Sequence, residues 1–78
     1  MTELNNLLNQ ENEIDKEIIK LLEKRRELTG KVAKEKTEHN LPMKDAEREK
    51  EVLENAAHSK HSGLTKKVFK EIIDYCGE

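Results

Sequence analysis

Two cations interrupt the apolar stripe of a long helical pattern, at positions from which they could bind an anion. Arg25 follows Ile18 by seven residues and precedes Val32 by seven, so it stands where an apolar side chain is expected. Lys36 comes eleven residues after Arg25, which places the two side chains about 20° apart around an α-helix. Two interpretations remain open. The cations reach water or pair with acids, or they bind a ligand that carries two negative charges.

A second polar cluster follows a short loop that contains Pro42. Asp45, Arg48 and Glu49 have the spacing i, i+3 and i+4, so they share one face of a helix. Taken alone, they would be an ordinary solvated first turn with local ion pairs. Combined with the preceding pair of cations, they add two carboxylates and a further arginine, which favours a binding site.

The first helix, which must position the two cations, is predicted from about Leu4 to Glu38. Its apolar residues recur at intervals typical of one buried face, namely Leu4, Leu7, Ile14, Ile18, Leu21, Leu28 and Val32. About 35 residues reach roughly 50 Å, a length that the rest of the chain barely covers. We therefore predict a homodimer with its long helices side by side. Gly30 is either tolerated in this helix or marks the close approach of another backbone.

Two shorter helices complete a predicted all-α fold of three helices. The second begins after Pro42 with Asp45 as a suitable N-cap, and residues 58–63 are turn-forming. His58 and His61 have no evident third ligand, so solvated side chains are favoured over a metal site. The third helix is predicted over about residues 64–76, with an apolar face of Leu64, Val68, Phe69, Ile72, Ile73 and Cys76.

The composition argues against several classes of protein. With 33% hydrophobic and 41% charged residues, disorder would be the default reading, but the periodic apolar residues favour a self-associating helical protein. A net charge of −2, with both signs interspersed, argues against a nucleic-acid partner. No apolar run approaches the roughly 20 residues of a membrane span, and no signal-peptide pattern opens the chain. The single cysteine, Cys76, fits a reducing cytoplasm, and residues 1–78 are expected to form one domain.

An ordered set of residues along most of the chain carries a resemblance to a known family. The set comprises Ile14-Asp15, Ile18, Leu21-Leu22, Arg25-Arg26, Leu28, Val32, Lys34-Glu35-Lys36, residues 41–49 (LPMKDAERE), Val68-Phe69 and Ile72-Ile73. At these spacings the chain resembles the all-helical (type II) chorismate mutases. The resemblance implies an intertwined three-helix homodimer with two active sites, each drawing on both subunits. It also implies conversion of chorismate to prephenate, on the shikimate pathway to Phe and Tyr, without a cofactor or metal.

The resemblance further implies roles for five residues. Arg25 resembles the arginine that binds one carboxylate of chorismate, and Lys36 the lysine that contacts the other carboxylate and the ether oxygen. Asp45 and Glu49 match positions that handle the ring hydroxyl and the ether-side hydrogen bonding. Arg48 matches an arginine that borders the pocket. All five are expected to bind substrate, and Lys36 and Glu49 are the expected catalytic residues.

Three positions depart from the pattern of the family. Leu8 stands where the family usually has an arginine contributed across the dimer, and Cys76 stands where it has a serine. A packed cysteine is favoured there over a hydrogen-bond donor. The sequence also stops at Glu78, before a glutamine or glutamate expected at the ether oxygen. Three alternatives follow: a weak mutase or one completed by an activating partner enzyme, an isochorismate pyruvate-lyase, or a non-catalytic binding or regulatory module.

Overall fold

The computed structural model describes residues 2–77, which form three α-helices and no strand. These are α1 (Thr2–Glu38), α2 (Ala46–Ala57) and α3 (Ser62–Cys76). The predicted all-α class is confirmed, as are the long first helix and the start of the second. The third helix begins two residues earlier than predicted, because Ser62 and Gly63 form its first turn rather than the end of a loop. The expectation of a missing glutamine or glutamate at the ether oxygen concerns positions from Glu78 onwards, which lie outside the described residues.

Capping residues determine where α2 begins and where α3 ends. The Oδ1 atom of Asp45 accepts a hydrogen bond from the backbone N–H of Arg48 at 3.0 Å, which confirms the predicted N-cap. Gly77 follows α3 in the left-handed conformation, with a φ of 87°, and its N–H donates to the carbonyl of Ile73 at 2.7 Å. Both ends adjoin the pocket described below.

The core is small and lies between the three helices. α2 packs on α3, and α3 in turn lies against α1. The buried apolar side chains are Val52, Ala56 and Ile73. Thr29 is also buried, and its hydroxyl donates a hydrogen bond to the carbonyl of Arg25 within the helix. The face of α1 that meets α3 is therefore centred on Thr29.

Leu28, which belongs to the predicted apolar stripe of α1, is not covered by the other helices of the same chain. Leu28 is 59% exposed in the single chain, although its spacing assigns it to the apolar stripe. It lies about 100° around the helix from Thr29, so α3 does not reach it. Leu64 and Val68 of α3 are exposed in the same way. In a single chain, the apolar stripes of α1 and α3 are thus only partly covered.

The N-terminal part of α1 extends well beyond the other two helices. The molecule measures 58 × 23 × 14 Å, and every residue from 2 to 24 is exposed. An uncovered apolar stripe therefore runs along this segment, formed by Leu4, Leu7, Leu8, Ile14, Ile18, Ile19 and Leu21. A Cβ atom added at Gly30 would meet no atom within 4 Å, so within one chain no neighbouring backbone requires this glycine.

Residues 2–77 contain neither a helix suited to span a membrane nor a cluster of residues suited to bind a metal ion. None of the described helices is both long and apolar enough to cross a membrane. No group of three or more His, Cys, Asp or Glu side chains in this range is arranged to hold a metal ion.

Candidate active site

A pocket of about 370 Å³ lies where the second half of α1, the loop after it, the start of α2 and the end of α3 meet. We call it the Lys36 pocket. Its volume is in the range of pockets that bind small organic molecules. The residues that line it include Thr29, Val32, Lys36, Lys44, Glu49 and Cys76.

The ammonium group of Lys36 is held in this pocket by the loop. Its Nζ atom donates a hydrogen bond to the carbonyl of Met43 at 3.2 Å. The backbone N–H of Leu41 in turn donates to the carbonyl of Lys36 at 2.8 Å. Glu49, which is half-buried on α2, lines the same pocket. A positioned cation beside a carboxylate can stabilise negative charge that develops on a bound ligand and can also orient that ligand.

Arg25 lines a second, smaller pocket. Arg25 and Lys36 are both half-buried, whereas most of α1 is exposed, so the two cations do project from one face of the helix. However, Arg25 borders a separate space of about 260 Å³, which we call the Arg25 pocket. Its lining includes Arg25, Arg48, Val52, Asn55, Thr65 and Phe69.

The guanidinium of Arg25 contains a hydrogen-bond donor that the described chain leaves unsatisfied. Its Nη1 atom is buried and has no hydrogen-bond partner among residues 2–77. A buried donor without a partner costs about 1–3 kcal/mol. Buried polar groups are nearly always paired in folded proteins, so this atom is well suited to an incoming anion such as a carboxylate.

The structure brings the five predicted site residues together only in part. Lys36 and Glu49 share one pocket, and Arg25 and Arg48 share the other. The guanidinium of Arg48 also pairs with Glu51 at 3.0 Å. Asp45 lines neither pocket, and its carboxylate is occupied in capping α2. Thr29 has a contact on each side. It lines the Lys36 pocket, and its hydroxyl donates a hydrogen bond to the carbonyl of Arg25, whose side chain lines the other pocket.

The sequence reasoning missed two charged residues of the Lys36 pocket. Lys44 and Asp74 both line it. Lys44 could have been noticed because it directly precedes the Asp45 cap, whereas Asp74 is exposed and carries no distinctive spacing. Cys76, whose thiol is unpaired and half-buried, lines the pocket as well.

The chain is thus an all-helical protein in which a half-buried lysine and a glutamate line one pocket, and this pocket is a candidate site for a small anionic ligand. A family model described as chorismate mutase type II matches residues 7–78. The match covers most of the sequence, and the chain belongs to the chorismate mutase type II family. The resemblance inferred from the sequence is thereby confirmed.

Two curated proteins illustrate the relationship. Both are described as bifunctional chorismate mutase/prephenate dehydratases, one from Buchnera aphidicola subsp. Acyrthosiphon pisum (strain APS) and one from subsp. Schizaphis graminum (strain Sg). Each is 49% identical to the chain over 43 residues, which make up 55% of this chain and 11% of the relative. The similarity therefore concerns a small part of each relative. No solved structure matches the chain significantly.

Proposed function

We propose that the chain is a chorismate mutase, an isomerase that converts chorismate to prephenate in aromatic amino-acid biosynthesis. Membership in the chorismate mutase type II family supports this function. The observation that carries it is the Lys36 pocket, in which the loop carbonyl of Met43 holds the lysine amine and Glu49 borders the same space. The unsatisfied guanidinium of Arg25 adds a second cation on the same face of α1.

The chemistry of this reaction requires what the pocket offers. In the rearrangement, the ether C–O bond of chorismate breaks while a C–C bond forms within the same molecule, so no group passes to the protein. The catalyst must hold the enolpyruvyl arm over the ring and stabilise negative charge that develops on the ether oxygen. Lys36 supplies the positive charge at that oxygen and contacts one carboxylate, and Glu49 contributes to the hydrogen bonding on the ether side.

The remaining site residues bind and orient the substrate. Arg25 donates charge-assisted hydrogen bonds to the other carboxylate, which satisfies its buried Nη1 atom. Arg48 borders the same space and reinforces the positive potential there. Asp45 contacts the ring hydroxyl in this proposal, and the ligand then extends towards the first turn of α2.

The proposed functional unit is an intertwined homodimer of a single domain spanning residues 1–78. The uncovered apolar stripe along α1 supports this assembly, because its side chains are about half exposed in the single chain, for example 50% at Ile18 and 59% at Ile14. A second long helix laid along this stripe would remove it from water. Each active site then draws on both copies in the cytoplasm. Activation by a partner enzyme is the alternative in which the dimer alone is only a weak mutase.

The substitution Lys36→Ala tests the catalytic role directly. We expect turnover of chorismate to fall by about two to three orders of magnitude, since the loss of one positioned donor to a developing oxyanion costs about 3–4 kcal/mol. The measurement is the loss of chorismate absorbance with formation of prephenate and no added cofactor. Lys34→Ala is the matched control, because Lys34 lies on the same helix but is exposed.

Three results would contradict the proposal in different ways. If the wild-type protein leaves chorismate unchanged even at high enzyme concentration, the chain is a helical binding or regulatory module. Release of pyruvate from isochorismate would instead indicate the lyase. If Lys36→Ala loses its helical circular-dichroism spectrum, the lysine supports the fold, as its hydrogen bond to Met43 would allow.

A further inference from the structure

The loop between α1 and α2 brings a second lysine, the exposed Lys44, to the lining of the Lys36 pocket. The hydrogen bonds that fold the loop back on the end of α1 include one from the N–H of Leu41 to the carbonyl of Lys36 at 2.8 Å and one from the Lys36 amine to the carbonyl of Met43 at 3.2 Å. Lys44 directly follows Met43 and lines the pocket beside Lys36. Its position is thus set by the same contacts that hold the Lys36 amine.

The charges around the pocket indicate what Lys44 does there. Four charged side chains line it: Lys36, Lys44, Glu49 and Asp74. Without Lys44, the two carboxylates would outnumber the one ammonium group, and the pocket would repel a dianion. The side chain of Lys44 makes no hydrogen bond or ion pair with any other residue in the range 2–77, so its donors are available to a ligand.

We propose that Lys44 is a substrate-binding residue whose ammonium group binds a carboxylate of the dicarboxylate ligand in the Lys36 pocket. This inference rests on the proposed function, since it assigns a further contact to the same substrate. No basic side chain precedes Lys16 in α1, so the first fourteen residues of that helix offer no cation to the ligand. The loop supplies the charge instead.

The substitution Lys44→Gln, which keeps the length and polarity of the side chain, tests this role. We expect the KM for chorismate to rise about tenfold with an unchanged kcat, because the variant loses a charge-assisted hydrogen bond to a carboxylate of the substrate. Lys44→Arg should restore the wild-type KM. Lys50→Gln is the matched control, because Lys50 is exposed on α2 and does not line the Lys36 pocket. Circular dichroism checks that all variants fold.

The two proposals fail in distinguishable ways. If the wild-type protein is active but Lys44→Gln has the same KM as Lys50→Gln, the role of Lys44 is overturned and the mutase activity stands. If the wild-type protein does not turn over chorismate, the proposed activity fails, and calorimetric titration with chorismate then tests Lys44. Weaker binding by Lys44→Gln than by the wild type would support the role, whereas equal binding or no binding would overturn it.

Discussion

The buried Nη1 atom of Arg25 supports the proposal that this residue binds an anionic ligand. This atom has no partner among residues 2–77, and an unpaired buried donor destabilises the folded state. The neighbouring Arg26 is exposed and lies 5.6 Å from the centre of the Tyr75 ring, a contact that stabilises the fold modestly. The two adjacent arginines therefore have opposite expected roles.

We predict that Arg25→Met weakens substrate binding without lowering stability. Methionine keeps much of the aliphatic stem and removes the unpaired donor, so the melting temperature should equal or exceed that of the wild type. The KM for chorismate should rise about tenfold or more, because hydrogen bonds to charged groups contribute about 1.5–3 kcal/mol. Steady-state kinetics and thermal denaturation check the two effects.

Arg26→Met is the control and should show the reverse pattern. Its KM should be unchanged, and its stability should fall by about 0.5–1 kcal/mol through loss of the contact with Tyr75. If Arg25→Met melts at a lower temperature than the wild type while its KM is unchanged, the Arg25 guanidinium has a structural role.

At the scale of the helices, the start of α2 depends on one carboxylate. Asp45 caps the helix through the backbone N–H of Arg48, and this cap determines where Arg48 and Glu49 emerge from the first turn. A direct contact between Asp45 and substrate is a separate proposal, because Asp45 lines neither pocket. The substitution Asp45→Asn separates the capping role of Asp45 from a contact with substrate, because asparagine caps a helix nearly as well as aspartate does.

We predict that Asp45→Ala destabilises the fold by about 1 kcal/mol through loss of the cap. For a domain of this size, the melting temperature would fall by about 4–8 °C. Asp45→Asn should retain the wild-type melting temperature at the same protein concentration. A lower activity of Asp45→Asn would then reveal a contact with substrate. An Asp45→Ala variant as stable as the wild type would show that water replaces the cap.

At the scale of the whole molecule, the uncovered apolar stripe of α1 is the feature that favours a dimer. The segment from residue 2 to residue 24 has no buried residue, yet it carries regularly spaced leucines and isoleucines. A lone helix of this kind gains no stability from tertiary packing, which supplies most of the stability of helices in proteins. Burying the stripe against a second chain provides that packing.

We predict that the wild-type protein sediments as a dimer and that Ile18→Glu shifts it to a smaller, less helical species. Ile18 lies in the stripe, and a buried glutamate without a partner opposes association. Asn9→Glu introduces the same charge about 180° around the helix from Ile18 and should leave the dimer intact. A well-folded wild-type monomer in analytical ultracentrifugation would contradict the packing argument for the dimer.

Much of the architecture could be predicted from local patterns in the sequence. The repeat of apolar residues predicts α1 correctly, and Pro42 followed by Asp45 predicts the start of α2, because both signals depend on neighbours within one or two turns. The sequence predicts the start of α3 two residues too late, because Gly63 in the first turn of a helix resembles a loop residue. The burial of Thr29 was missed, because a threonine that bonds its own helix carries no hydrophobic signal.

The helices, the shared face of Arg25 and Lys36, and the family to which the chain belongs could all be predicted from the sequence. These follow from periodicity and from an ordered set of residue types along the chain. The grouping of the charged residues into pockets depends on the tertiary structure. This structure divides the two cations between separate pockets and places Lys44 in the lining of the Lys36 pocket. The physical reason is that spacing along a helix defines a direction, whereas a pocket depends on how other elements pack around it, here the folded-back loop and the end of α3.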